Sequence, residues 1–90
     1  RVVVTDGARP TTVSHHPGAL PAEVYAVPPV ASAEVVDSNG CGDAFAGAFL
    51  AAHALGKDTA SCVRAAHWAA ALVLRQRGCS FPEPPPRFAW

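Results

Sequence analysis

The stretch Asp37-Ser38-Asn39-Gly40-Cys41-Gly42-Asp43-Ala44-Phe45 decides how the rest of the chain is read. Before it lie short β-branched runs broken by proline and glycine; after it the apolar residues recur at helical spacing. The segment therefore reads as a strand end, a glycine turn and the first turn of a helix. The first amides of a helix have no intrahelical acceptor, and the aligned peptide dipoles place partial positive charge there. Gly40 and Gly42 let the backbone bend and approach a ligand with no Cβ in the way. Such a turn suits a phosphate or a developing phosphoryl charge. A carboxylate at Asp43, beside those amides, can accept the proton of an attacking hydroxyl; anion hole and adjacent base are what in-line phosphoryl transfer requires. A plainer reading stands next to it, in which Asp43 only neutralises the dipole of the helix it begins. The pattern is not a P-loop, which needs Lys-Ser/Thr after the last glycine, and it lacks the third glycine of the dinucleotide fingerprint.

Downstream, Phe45, Ala48, Phe49, Ala52 and Leu55 fall at i, i+3, i+4, i+7 and i+10, one face of a helix. Gly56 is expected to close that helix in the left-handed conformation. Asp58 is expected to cap a second helix running to about Gln76 and stopping near Gly78, with Val63, Ala66, Ala70 and Leu74 as its buried stripe. Gly47, inside the first helix, costs roughly 1 kcal/mol relative to Ala. It is either a tolerated imperfection or a site of close backbone approach.

Upstream, Arg1 to Thr5, Thr11 to His15 and Glu23 to Val27 are candidate strands, the first stopped by Asp6-Gly7. Val35-Val36 is a last short apolar pair. Proline partitions the chain: five lie between Pro10 and Pro29, none between Val30 and Phe81, and four between Pro82 and Pro86. Proline removes an amide donor and fixes φ, so uninterrupted helix belongs to the middle part. The expected division is a β-rich part (1–36), the anion-hole turn with two helices (37–78) and a proline-rich tail (79–90).

Composition excludes several classes. The chain has 90 residues, half of them hydrophobic, and a formal net charge of zero. No basic stripe argues for nucleic acid, and no apolar run approaches the ~20 residues of a membrane span. The three cysteines, Cys41, Cys62 and Cys79, share no C-x-x-C spacing. Neither a disulfide framework nor a zinc site is indicated, and a reducing, cytoplasmic setting fits. His15, His16 and His53 have no ligand partner at i+4 and are expected on the surface. With Arg1 first and no methionine anywhere, the chain is expected to be a piece of a longer protein.

Residues 37–50, DSNGCGDAFAGAFL, resemble the C-terminal signature of the ribokinase-type (PfkB) kinases, Asp-Thr-x-Gly-Ala-Gly-Asp-Ala-Phe followed by a small-residue helix. Asn39 is the choice typical of the adenosine-kinase branch of that family. The likeness continues through Cys62-Val63-Arg64-Ala65, His67-Trp68-Ala69-Ala70 and residues 75–82, RQRGCSFP, and includes Val2 to Gly7; Pro10 to Pro29 match least. The implied fold is α/β, the C-terminal part of a three-layer ribokinase-like architecture with a mainly parallel sheet. This chain is expected to supply a β-rich edge and two main helices.

The resemblance also implies roles. Asp43 is implied as the general base toward the 5′-hydroxyl of adenosine, and the amides of Gly40, Cys41 and Gly42 as the anion hole. Asn39, Gly7, His67, Ser32, Ala70 and Phe81 are implied on the nucleotide side, and Asp37 in ordering the loop and, as in several relatives, in lying near a monovalent cation such as K⁺. The implied reaction uses ATP and Mg²⁺, the metal organised mainly by residues outside this chain, and gives AMP and ADP in a monomeric parent. A sugar kinase of the same family, or a non-catalytic interaction fragment, is the alternative. Cys41 replaces the usual Ala: either it packs quietly or its thiol, at a helix N-terminus, is sensitive to oxidation. Ser32 stands where relatives carry Gln, and Asp6 where many carry an uncharged residue. His67 is either a satisfied core histidine or a pocket residue. The isolated 90 residues are not expected to turn over substrate, because the acceptor-binding residues and lid of the family belong to its N-terminal half.

Overall fold

The β-branched runs at the start of the chain pair into a small meander. The structure is a computed structural model, and it describes residues 2–14, 22–30, 35–36, 40–75 and 87–90. Strand β1 spans Val2–Asp6, β2 Arg9–Ser14 and β3 Glu23–Tyr25, in the order β1-β2-β3. Gly7, at φ +55, turns the chain between the first two strands. Both pairings are antiparallel, with Val3 opposite Val13 and Thr11 opposite Tyr25. The mainly parallel sheet of the expected architecture is thus not formed by these strands. Their connections are far shorter than the roughly dozen residues a parallel crossover needs. β2 begins at Arg9 rather than at Thr11, and takes in Pro10. The register shifts between Val4 and Asp6, opposite the stretch that holds Pro10, and an irregularity is where a strand tolerates a residue with no N–H.

Side-chain alternation divides the sheet into two faces. Thr11 and Val13 are buried, and Val3 packs on the same side against the core. Val2, Val4 and Val24 take the other side by register and are exposed.

Two helices cover the inner face. Helix α1 spans Cys41–Ala54 and α2 Thr59–Leu74. Phe45, Phe49 and Ala52 of α1 pack with Val13 and with Cys62, Val63, Ala65 and Ala66 of α2 in one core. Leu55 does not join it. The helix ends at Ala54, so Leu55 lies in the cap and is 66% exposed. The expected stripe of α2 holds in part: Val63 and Ala66 are buried, but Ala70 and Leu74 are only half-buried, and Cys62, Ala65, Ala69 and Val73 are buried as well, which turns and widens the face. The two helices meet the sheet as well as each other, which widens the apolar face beyond a single i, i+3, i+4 line. Gly47 is exposed with no atom within 4 Å of where a Cβ would stand, so no close backbone approach occurs there among the described residues.

The junction between the helices follows the expectation. Gly56 N–H donates to the His53 carbonyl (3.0 Å) and Lys57 N–H to the Ala52 carbonyl (3.1 Å), with Gly56 at φ +78. This is the paired closure that leaves few carbonyls of the last turn without a donor. Asp58 then accepts a hydrogen bond from the Ser61 amide at 2.8 Å and begins α2. The Ser61 hydroxyl first, and its amide second, hold the Asp58 carboxyl below its ordinary range. Replacing Gly56 by Ala forces a Cβ into the left-handed region and is expected to destabilise the protein by about 1–2 kcal/mol, measurable by urea unfolding. Past α2, the segment Arg87 to Trp90 returns to that helix. Arg64 donates to the carbonyls of Ala89 (3.1 Å) and Trp90 (3.0 Å), and Phe88 meets Trp68 edge-on at 5.3 Å.

Candidate active site

The N-terminus of α1 is built by glycine. Gly40 is the N-cap at φ +83, a conformation that L side chains rarely adopt, and it offers no side chain to the helix amides. Helical bonding starts at Ala44, whose N–H donates to the Gly40 carbonyl at 2.9 Å. The amides of residues 41 to 43 therefore precede the first rung of the helix, where the positive end of the dipole lies. Gly42 is exposed, and a Cβ there would meet nothing within 4 Å. The backbone at this turn is open to an approaching group. Asp43 lies in the same turn, exposed, the acidic residue of the helix start.

Behind this turn a cavity of about 200 Å³ is lined by Gly7, Thr11, Cys41, Gly42, His67 and Ala70, among others. It gathers residues from places far apart in the sequence: the β1–β2 turn, strand β2, the start of α1 and the middle of α2. Gly7, His67 and Ala70 were expected on the nucleotide side and Cys41 and Gly42 in the anion hole, so five named positions share one wall. Asp37, Asn39, Ser32 and Phe81, also named, lie outside the described residues. So do His15, His16 and Cys79; His53 is exposed. Cys41 is half-buried at the cavity edge, and neither it nor Cys62 is in a disulfide.

His67 combines both readings offered for it. Its ring is buried, Nε2 lies 2.8 Å from Thr11 Oγ1, and Phe45 packs on it with ring centroids 5.7 Å apart. Burial pushes its imidazole below the ordinary value, which favours the neutral ring at neutral pH. It is a satisfied core histidine that also faces a cavity. A second cavity of about 420 Å³, between α2, the Tyr25 to Val30 loop and Phe88, has His67 in its wall too. An open groove of about 640 Å³ runs along the other side of α1, past Gly42, Phe45 and Phe49.

Thr11 is the site residue that sequence reading missed. It falls in the stretch between Pro10 and Pro29 that resembles the family least. Its only local signal is the period-two alternation with Val13, which marks an inward-facing position without naming a partner 56 residues away. Among the described residues, no group of three or more His, Cys, Asp or Glu side chains converges as a metal site. No helix among them is long and apolar enough to cross a membrane.

With a glycine-capped helix start and an adjoining carboxylate on an α/β unit, the chain belongs to the pfkB family of carbohydrate kinases, whose model matches residues 1–86. The relatives it matches include adenosine kinases. It is 41% identical to adenosine kinase 1 of Arabidopsis thaliana over 83 residues, 92% of this chain and 23% of that protein. It superposes on the Anopheles gambiae adenosine kinase in complex with P1,P4-di(adenosine-5) tetraphosphate with a TM-score of 0.84 and 32% identity, covering 96% of this chain and 25% of that one. The adenosine kinase of Schistosoma mansoni in complex with 2-fluoroadenosine gives 0.83 and 28%, over 90% of this chain and 23% of that one. The chain thus spans about a quarter of the proteins it matches, and its two helices and small sheet are part of a ribokinase-like α/β fold.

Proposed function

We propose that the protein to which this chain belongs transfers the γ-phosphoryl group of ATP to the 5′-hydroxyl of adenosine, giving AMP and ADP, and that this chain contributes the base and the anion hole. The observation that carries the reading is the shared wall: Cys41 and Gly42 at the start of α1, the Gly7 turn and His67 meet around one cavity, with Asp43 in the same first turn of helix. The likeness to adenosine kinases, among them one in complex with an adenosine analogue and one with a dinucleoside tetraphosphate, supports the choice of acceptor and donor.

In this reading the 5′-oxygen attacks the γ-phosphorus and the bond from that phosphorus to the β,γ-bridging oxygen breaks, so that ADP leaves. The hydroxyl proton passes to the Asp43 carboxylate. The amides at Gly40, Cys41 and Gly42 face the charge spread over the equatorial oxygens, a fixed array that needs no reorganisation in the transition state. Asp37 orders the loop and a K⁺ site; Asn39, Ser32, Ala70 and Phe81 complete the nucleotide side with Gly7 and His67. Mg²⁺ is held by residues outside this chain, and the parent is a cytoplasmic monomer that binds no nucleic acid. The isolated 90 residues do not turn over, in keeping with the quarter of each relative that they span.

The family's name leaves a sugar acceptor as the second reading. Purified full-length protein assayed with ATP against adenosine, inosine and ribose separates the two. Adenosine is expected to give the highest kcat/KM by at least about 100-fold, because a site built for the base leaves buried polar groups unpaired with ribose. A preference for ribose would replace the nucleoside reading with the sugar one.

A further inference from the structure

His67 carries two contacts that tie separate elements together. Thr11 reaches its Nε2 from β2, and Phe45 packs on its ring from α1, two helical positions after Asp43. Thr11 is 1% exposed and His67 9%, so the 2.8 Å bond between them is shielded from solvent. A threonine hydroxyl can donate to a bare Nε2 or accept from Nε2–H. The bond therefore fixes where the ring sits without fixing which tautomer it holds. With Nε2 engaged, any polar contact of His67 with a cavity ligand goes through Nδ1. The ring also stands in the walls of both the 200 Å³ cavity at the α1 turn and the 420 Å³ cavity beyond it. Its position sets the partition between the two.

We propose that Thr11 is a positioning residue for the nucleotide: its hydroxyl pins the His67 ring in the partition between the two cavities, and so sets the shape of the pocket that ends at the Gly40 to Gly42 turn. This rests on the nucleotide reading of that pocket. Thr11 touches neither reacting group and acts through His67. Its removal is therefore felt in nucleotide affinity before it is felt in the chemical step.

The test uses the full-length protein with Thr11→Val, which keeps shape and loses the hydroxyl, and Thr11→Ser, which keeps the hydroxyl. Steady-state kinetics with ATP and adenosine are combined with calorimetric binding of ATP, and circular dichroism confirms folding. Thr11→Val is expected to raise the KM and Kd for ATP by about tenfold, the scale of one buried hydrogen bond left half-made. The KM for adenosine and kcat should move less than about threefold, and Thr11→Ser should restore ATP affinity to within about threefold of the parent. The proposal is overturned by a folded Thr11→Val protein with unchanged ATP affinity, or by equal losses for both substrates. It is also overturned if Thr11→Ser is as impaired as Thr11→Val. If Thr11→Val does not fold, Thr11→Ser decides alone: its hydroxyl, no longer held at χ1 by the γ-methyl, is expected to weaken ATP two- to threefold with adenosine unaffected, and any larger shift for adenosine than for ATP overturns the proposal. Should the parent bind ATP but fail to phosphorylate adenosine, the acceptor reading fails while the calorimetric comparison still decides the role of Thr11.

Discussion

Replacing Asp43 by Asn in the full-length protein is expected to lower kcat for the proposed phosphorylation of adenosine by about 10²–10⁴-fold, the range for loss of one general base. The substitution keeps size and polarity and removes the carboxylate's capacity to take a proton. Asp43 is exposed in the first turn of α1, so the change leaves the core untouched and folding is expected to survive it. A carboxylate at a helix N-terminus also interacts favourably with the dipole, and that share of its role is small, about 0.3–1 kcal/mol. The two roles separate in the measurement. Loss of a dipole partner alone would lower stability slightly and leave kcat near the parental value. Loss of the base lowers kcat by orders of magnitude with ATP affinity nearly unchanged. A variant that retained more than a tenth of the parental kcat would remove Asp43 from the mechanism.

The largest effect on stability is expected at Phe45. Its ring is 8% exposed and lies against Phe49, with centroids 6.3 Å apart, and against His67 at 5.7 Å. Phe45→Ala deletes a ring that bridges α1 and α2 and leaves a cavity that two helices pinned at a common junction can close only in part. The expected cost is about 3–5 kcal/mol, read as a fall in the urea midpoint at unchanged m-value. Phe45→Leu, which refills much of the volume, should lose clearly less. Because Phe45 also supports the His67 ring, the alanine variant is expected to weaken ATP binding in any fraction that remains folded. A loss below about 1 kcal/mol would show that the ring is not packed as described.

The two helices and their junction were legible in the sequence for local reasons. Helical spacing of Phe45, Phe49 and Ala52, a glycine just past the last turn and an aspartate before the next are short-range signals that need no partner elsewhere. The same locality explains the errors. Leu55 fits the apolar period and is still exposed, because Gly56 ends the helix before that position can turn inward. The stripe of α2 was rotated because a helix that packs on both a helix and a sheet buries a broader arc than its own periodicity announces. The three strands were legible as β-branched runs, but their antiparallel pairing was not, and Pro10 inside β2 was placed only by the register shift opposite it.

By itself the sequence determined the local frame and the family: a glycine turn opening a helix, followed at once by a carboxylate, in a stretch whose pattern is that of one kinase family. Backbone conformation at Gly40 and the position of Asp43 follow from residues next to each other, and neighbours in sequence are neighbours in space. What only the tertiary structure decided is the wall of the pocket. Thr11 and His67 are 56 positions apart and meet because β2 and α2 share one core. No periodicity encodes that meeting, since it arises from the packing of two faces rather than from the order of residues along either.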